Sequence, residues 1–149
     1  MQQGVNHATL DMNGTERFQR LREPLGIQSF GINVITLQPG QRGRIHRHAT
    51  QEEVYLVLEG VLSLSVEKEE RDLAKGEIVR VAPEVRRQLL NRGPGRCVLL
   101  ALGGAGTHVG RDGTGFVSWE AREGAPPQEI PLPEDLPVSE RRTSPASTS

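Results

Sequence analysis

Short apolar segments separated by glycine and proline make up the middle of this chain. FGINVITL (30–37) ends at Pro39-Gly40, and VYLVL (54–58) ends at Glu59-Gly60. In VLSLSV (61–66) apolar residues alternate with serine, which is the period of a half-buried strand. The same reasoning predicts further strands at EIVRV (77–81), RQLLN (87–91), CVLLALG (97–103) and GFVSW (115–119). Evenly spaced strands joined by turns favour an all-β fold with a closed or sandwiched antiparallel sheet.

The two ends of the chain depart from this pattern. GTERFQRLREPLG (14–26) predicts one short turn of helix before Pro24, and no amphipathic helix follows it. Residues 121–149 hold six of the ten prolines, and the final SERRTSPASTS is polar and predicted to be disordered. We therefore divide the chain into an N-terminal arm (1–24), a barrel (25–120) and a Pro-rich tail (121–149). The tail's Ile130, Leu132 and Leu136 predict either packing along the barrel or a partner subunit, or a plain linker.

Composition narrows the classes of protein to consider. The chain has 149 residues and a net charge of -1, so one domain without an obvious nucleic-acid partner is expected. Aromatic residues are only 3% of the chain, which argues against a base-stacking surface. Cys97 is the single cysteine, and we expect it to be a small buried apolar residue. The first residues lack a secretory signal and no apolar run spans a membrane, so we expect a cytoplasmic protein.

Ionisable side chains are concentrated in GRIHRHATQEEVYLVLEG (43–60). On a strand, alternate residues face the same side, so Arg44, His46 and His48 are predicted to share a face. Glu53 and Tyr55 would share a face of the neighbouring strand. Two imidazoles and one carboxylate suit a divalent first-row metal. Of the two adjacent acids only one can face inward, so Glu52 is expected to be solvated or paired with an arginine.

The spacing of this stretch resembles the first motif of the cupin family. Gly40 is followed by five residues, His46-x-His48, four residues, Glu53, six residues and Gly60. The resemblance implies a single-domain cupin, a double-stranded β-helix that is a jelly-roll-like β-barrel and often dimeric. It also implies a metal inside the barrel, held by the two histidines, the glutamate and a further histidine from a second motif.

The second motif is incomplete in GEIVRVAPEVRRQLLN (76–91), because the expected histidine is missing. Counting forward from Pro83 places Gln88 in the histidine position, whereas counting back from Asn91 places Arg87 there. An inward Gln88 would offer an amide oxygen to a metal or substrate. An inward Arg87 would place a permanent cation beside the metal, disfavour its binding, and hold an anionic ligand or pair with Glu53. We favour Arg87, because that alignment keeps both Pro83 and Asn91 in register.

Two functions follow from the resemblance and these residues. In the first, His46, His48 and Glu53 hold Fe(II), Mn(II), Ni(II) or Zn(II) in a dioxygenase, isomerase or lyase. Tyr55 is then a candidate proton donor or a packed barrel tyrosine, and Arg44 is a weaker candidate for substrate binding. In the second, the barrel is a metal-free binding or sensing protein for a small ligand, with Arg87 or Gln88 replacing the histidine.

The remaining expectations concern partners. Arginines around the second motif, together with Arg42, Arg44 and Arg47, form either a solvated face or a rim for an anionic small molecule. A homodimer is expected, with no nucleic-acid or membrane partner. His108, in the glycine-rich segment after the strand at 97–103, is expected to be a solvated loop histidine rather than a late ligand, and His7 is expected to have no role.

Overall fold

The computed structural model describes residues 3–104 and 112–143, and it contains ten strands and one short α-helix. The arm contributes β1 (Phe18–Arg20) and α1 (Arg22–Leu25). The remaining strands are β2 (Phe30–Leu37), β3 (Ile45–His48), β4 (Glu52–Glu59), β5 (Val61–Val66), β6 (Glu69–Ala74), β7 (Ile78–Val81), β8 (Arg87–Leu90), β9 (Cys97–Gly104) and β10 (Gly113–Phe116). Two 3-10 helices, Pro127–Glu129 and Val138–Glu140, lie in the tail. No helix of the described residues is long and apolar enough to cross a membrane.

The strands form two antiparallel five-stranded sheets. The first sheet has the order β1-β2-β9-β4-β7, and the second has the order β10-β3-β8-β5-β6. Alternate residues of each strand point between the sheets and form one apolar core. The buried core residues are Ile35, Leu37, Tyr55, Val57, Leu62, Leu64, Leu73, Val81, Leu89, Cys97, Leu99 and Ala101. The all-β class predicted from the apolar pattern is therefore confirmed.

Strands with a clear apolar pattern lie where the sequence predicts them. β2 and β5 coincide with FGINVITL and VLSLSV. β10 begins two residues before the predicted GFVSW segment (115–119) and ends within it at Phe116, since Val117 is 71% exposed and continues no buried alternation. The charged segment after β5, for which no strand is predicted, forms strand β6 beyond the turn at Glu67 and Lys68. Its first four residues are exposed and only Leu73 is buried, so it carries little apolar signal.

The end of the N-terminal arm is part of the barrel. Phe18–Arg20 pairs antiparallel with β2, with Phe18 opposite Ile35 and Arg20 opposite Asn33. The predicted helical turn is α1, which contains Pro24 within its single turn, where a missing N–H costs nothing. The arm therefore supplies an edge strand of the first sheet, and Phe18 on this strand packs against the apolar core.

The Pro-rich tail packs on the barrel along its described length. Ile130 and Leu136 are 9% and 2% exposed, whereas Leu132 is 39% exposed. The Leu136 amide donates to the carbonyl of Gly40 at 2.7 Å, and the Arg142 amide donates to the carbonyl of Arg92 at 2.6 Å. Of the segment expected to be disordered, residues 139–143 are thus held on the barrel, and residues 144–149 lie outside the described residues.

Candidate metal centre

His46, His48 and Glu53 converge at one point inside the barrel. His46 and His48 lie on β3 with one residue between them, so both rings face the same side. Glu53 lies at the start of β4. Its Oε1 atom is 3.2 Å from His46 Nε2 and 3.1 Å from His48 Nε2. The three potential ligand atoms all lie within 4.8 Å of one another, which is close enough for one ion to contact all three.

Acceptor atoms on the opposite side of each ring fix the histidine tautomers. His46 Nδ1 is 3.2 Å from the carbonyl oxygen of Arg44, and His48 Nδ1 is 2.8 Å from Oδ1 of Asp112. A carbonyl or an ionised carboxylate only accepts hydrogen bonds, so both Nδ1 atoms carry the hydrogen. In the neutral rings the Nε2 lone pairs then point toward Glu53. Carbonyl and carboxylate partners of this kind orient histidines in metal sites.

Asp112 is a functional residue that the sequence analysis missed. Its Oδ2 atom accepts hydrogen bonds from the backbone amides of Thr50 and Gln51, both at 2.8 Å. Burial opposes ionisation, but these amides and His48 outweigh it and lower the pKa of Asp112 to about 2. Asp112 reaches His48 because β10 pairs with β3, with Gly113 opposite His48. That long-range register has no local sequence signal.

The donor set fits a divalent metal. Glu53 Oε1 lies 3.2 and 3.1 Å from the Nε2 atoms of His46 and His48, and acceptors at such distances repel unless a cation or a proton lies between them. His48 Nε2 is buried and has no hydrogen-bond partner among the described residues. Two imidazoles and one carboxylate are the ligands of non-haem iron and related first-row sites. The residues present therefore satisfy the chemistry of a three-ligand site with open positions.

Arg87 lies on the barrel interior beside Glu53. Its side chain is fully buried, with Nη2 3.1 Å from Glu53 Oε1, and its Nε donates to the hydroxyl of Tyr55 at 3.3 Å. Its Nη1 donates to the carbonyl of Val85 at 2.6 Å. In the strand register Arg87 is directly opposite His46. Arg87 therefore pairs with the candidate ligand.

Gln88 lies on the opposite face of β8. Its side-chain amide donates to the carbonyl of Gly43 at 3.0 Å, and it lines a cavity beneath the tail, separate from the one at the histidines. Asn91, the last position of the second motif, links the end of β2 to the turn before β9. Its amide donates to the carbonyls of Leu37 and Gly95. The structure therefore brings Arg87, and not Gln88, to the candidate site.

Tyr55 faces the site and is held protonated. Its hydroxyl donates to Glu53 Oε1 at 2.6 Å. Burial raises the pKa of Tyr55 well above its usual value, and the charge of Glu53 adds to this effect. A phenol in this state donates a hydrogen bond, but its raised pKa makes it a weaker acid than free tyrosine, and it is not a base at neutral pH. Arg44 also lines the cavity, but its Nε donates to the carbonyl of Ile130 at 2.6 Å.

The local charges favour ionised Glu53. Burial would raise the pKa of Glu53, but the hydrogen bonds and charges of His46 and His48 outweigh burial and hold that pKa well below its usual value. Burial would lower the pKa of His48, but contacts with Glu53 and Asp112 raise it overall. The carboxylate is thus anionic at neutral pH and available to a cation.

Two adjoining cavities meet at this cluster. The inner cavity, of about 200 Å³, has apolar walls that include Phe18, Ile35 and Leu89. The outer cavity, of about 310 Å³, is lined by charged and polar residues that include Arg20 and Arg22. His48, Glu53, Asn33 and Ala101 line both cavities. A small molecule at the histidines would therefore contact an apolar wall on one side and arginines on the other.

The other singled-out residues lie away from the cluster. Glu52 pairs with Arg80 on the surface, as one of the two expected alternatives has it. His7 is exposed, and His108 lies outside the described residues. Cys97 is fully buried in the core. Two of the arginines around the second motif pair with surface acids, Arg92 with Glu70 and Arg96 with Glu59, so they do not form one free rim.

Comparison with known proteins agrees with this architecture. A family model described as Cupin domain matches residues 33–103. The fold is similar to a cupin protein from Bacteroides fragilis, with a TM-score of 0.64 and 17% identity over 72% of this chain and 90% of that chain. It is also similar to a sugar phosphate isomerase from a cupin superfamily of Silicibacter pomeroyi, with a TM-score of 0.60 and 24% identity over 78% of this chain and 79% of that chain. No curated protein matches the chain.

Proposed function

Because this chain belongs to the cupin superfamily, we propose that it binds a divalent transition metal through His46, His48 and Glu53 and uses it as an enzyme acting on a small molecule. The observation that carries the proposal is the convergence of three metal-ligand atoms whose outer partners are already in place. The backbone carbonyl of Arg44 and the carboxylate of Asp112 accept hydrogen bonds from the Nδ1 atoms of His46 and His48, so both Nε2 atoms face the point where an ion would bind. Such outer partners are a regular feature of metal sites.

The bound metal would be Fe(II), Mn(II), Ni(II) or Zn(II), and it would polarise a substrate oxygen as a Lewis acid or serve as a redox centre. Around it, the chain supplies three protein ligands and open positions for substrate. The Tyr55 hydroxyl lies on the cavity wall, and its hydrogen, donated to Glu53 at 2.6 Å, would pass to a substrate oxygen that replaces this contact. An isomerase, lyase or dioxygenase reaction is consistent with this arrangement, and the similar sugar phosphate isomerase fold favours the first.

A second candidate function is binding or sensing of a small ligand without a metal. The fully buried Arg87 against Glu53 favours it, because a permanent cation partly satisfies the carboxylate and repels a metal. The two cavities would then hold the ligand directly. The two functions differ in whether the purified protein takes up metal.

The test is the metal content of the purified protein, measured by inductively coupled plasma mass spectrometry after incubation with each of the four metals. We expect about one ion per chain, since the ligands form one site. His46→Ala should reduce the content to near zero while far-ultraviolet circular dichroism stays that of the parent. His7→Ala is the matched control, because His7 is exposed and remote from the cluster, and it should keep full metal content. Parent protein that takes up none of the four metals would overturn the proposal in favour of the metal-free alternative.

A further inference from the structure

A trough formed by two glycines and bordered by the Gln51 side chain crosses the inner face of the first sheet beside Glu53. Glu53 on β4 is directly opposite Gly103 on β9, and Gly103 is directly opposite Gly31 on β2. Neighbouring strands lie about 4.8 Å apart, so the row extends about 10 Å from the carboxylate. Neither glycine has a side chain, but the Gln51 side chain occupies part of this space, since a Cβ at Gly103 would lie 3.1 Å from Gln51 Oε1. The outer cavity lies along it.

Two arginines lie at the far end of the trough. Arg20 on β1 is opposite Asn33 on β2, a residue that lines both cavities at the histidines. Arg22 follows at the start of α1 and lines the same outer cavity. His48 and Glu53 line that cavity as well, so the arginines and the candidate metal ligands face one continuous space.

The arginines of the described residues divide into those that form ion pairs with acids and those that do not. Arg80, Arg92 and Arg96 each form an ion pair with a glutamate. In residues 3–104 and 112–143, neither Arg20 nor Arg22 forms one, and Arg20 lies 5.8 Å from the centroid of the Phe18 ring. Besides Glu53, the outer cavity is lined by one further carboxylate, that of Glu23. The two guanidinium groups thus keep their hydrogen-bond donors available to a ligand.

The charge of the site also favours an anion. Arg87 adds a buried positive charge where the family's second motif supplies a neutral histidine, and this charge is balanced by Glu53. A divalent ion with Arg87, Glu53 and the ionised Asp112 would leave a surplus of about one positive charge at the cluster, before Arg20, Arg22 and Glu23 are counted. The attraction for an anion is strongest beside the buried Arg87, whereas Arg20 and Arg22 are exposed and are screened more by salt.

We infer that the substrate is a small anion whose metal-binding oxygen lies at His46, His48 and Glu53 and whose phosphate or carboxylate group lies at Arg20 and Arg22. This inference rests on the proposed function and names its substrate class. The length of the trough sets the separation of the two groups at up to about 10 Å. Guanidinium groups bind phosphate and carboxylate oxygens in bidentate fashion, so they discriminate strongly against a neutral group.

Three ligands with the same metal-binding end test the inference. Glycerate, malate and 3-phosphoglycerate share an α-hydroxycarboxylate and carry a hydroxyl, a carboxylate or a phosphate at the other end. Isothermal titration of the Ni(II)-loaded protein should show 3-phosphoglycerate, malate or both binding at least about tenfold more tightly than glycerate, as one charge-assisted contact implies. The tighter of the two identifies the anionic group.

The double variant Arg20→Gln with Arg22→Gln should remove that preference, lowering the affinity for the favoured anion by about 10- to 100-fold. Its affinity for glycerate and its Ni(II) content should stay unchanged. Arg71→Gln is the matched control, because Arg71 is exposed on β6 in the other sheet. Equal binding of the three ligands to the parent, or a preference that survives in the double variant, would overturn the inference.

Failure of the proposed function gives a different result. If the protein takes up no metal, the same titrations are made with the metal-free protein. An arginine-dependent preference for the anions there would support the ligand class and reject the metal. Normal metal content without any anion preference would support the metal site and reject the ligand class.

Discussion

The guanidinium of Arg87 lies 3.1 Å from Oε1 of Glu53, on the strand directly opposite His46. The same oxygen is within 3.2 Å of both histidine Nε2 atoms and receives the Tyr55 hydroxyl at 2.6 Å. Arg87 thus occupies the place where the resemblance leads one to expect a fourth ligand. Its buried charge holds the glutamate in position and reduces the net negative charge that a metal would meet.

Replacing Arg87 separates its charge from its position. Arg87→Met should lower the free energy of unfolding of the metal-free protein by about 3–5 kcal/mol, because it leaves the Glu53 carboxylate buried without its cation. Arg87→His should bind Ni(II) or Zn(II) more than about tenfold more tightly than the parent, because it removes a like charge near the ion and adds a ligand. Urea titration and competition with a chelator measure the two effects. An Arg87→His variant that binds metal no better than the parent would show that the arginine does not limit the site.

Asp112→Asn should weaken metal binding by about 10- to 100-fold, since the carboxylate that orients His48 and strengthens its Nε2 lone pair is lost. Chelator competition measures the dissociation constant. Asp72→Asn serves as control, because Asp72 lies on β6 and contacts Ser63 and Arg142 rather than the cluster. Equal affinities in the parent and in Asp112→Asn would mean that the Asp112 contact has no role in metal binding.

Cys97 gives a prediction for alkaline pH. Burial, with a smaller contribution from Glu59, raises the pKa of its thiol to about 12. The protonated thiol is therefore favoured by folding, and its contribution to stability is complete below pH 9 and is lost as the pH rises toward 12. Urea midpoints of the parent should fall more steeply between pH 9 and pH 11 than those of Cys97→Ala. Native protein should also resist a thiol reagent at pH 8 until urea unfolds it, and rapid reaction before unfolding would contradict the burial.

Leu136→Ala tests the packing of the tail. Leu136 is 2% exposed and its amide donates to Gly40, so its truncation should lower the free energy of unfolding by about 2–5 kcal/mol. Leu132→Ala, at a half-exposed leucine four residues earlier, should cost less than about 1 kcal/mol. Urea unfolding followed by circular dichroism gives both values. Similar small losses in the two variants would mean that the tail contributes little to stability.

The expected homodimer remains a prediction, and the outer face of the first sheet is the surface that we expect it to bury. Apolar residues form two rows across its strands, Ile32-Leu102-Val54 and Leu100-Leu56-Ile78, whereas Val34, next to Leu100 in the second row, is 2% exposed and already covered by this chain. Ile78 is 63% exposed. A flat apolar face of this kind can pair with its own copy about a twofold axis. Light scattering should give a dimer mass for the parent and a monomer mass for Ile78→Glu, with Val117→Glu, at a 71% exposed valine of the other sheet's end, unchanged. A monomeric parent would refute the prediction.

The sequence predicted those strands in which apolar and polar residues alternate regularly. β2 and β5 were predictable because their apolar residues alternate toward one core. His46, His48 and Glu53 were predictable because strand periodicity turns them inward, the histidines on β3 and the glutamate on β4, although these strands belong to different sheets and form no hairpin. β6 was missed because four of its residues are charged and exposed at a sheet edge. Asp112 and Arg20 reach the site through pairings with residues 64 and 13 positions away, respectively, and spacing along the chain gives no sign of them.

Gly40 joins the barrel's first motif to the tail. Its φ of +89° favours glycine, and a Cβ there would lie 2.5 Å from the side chain of Arg141. Two separate constraints therefore act on one position of the family pattern. In a relative that has lost the tail, only the backbone constraint would persist, and asparagine, which tolerates positive φ, would become acceptable at this place. Variation at that glycine among relatives would then report the presence of the C-terminal segment as well as the integrity of the barrel.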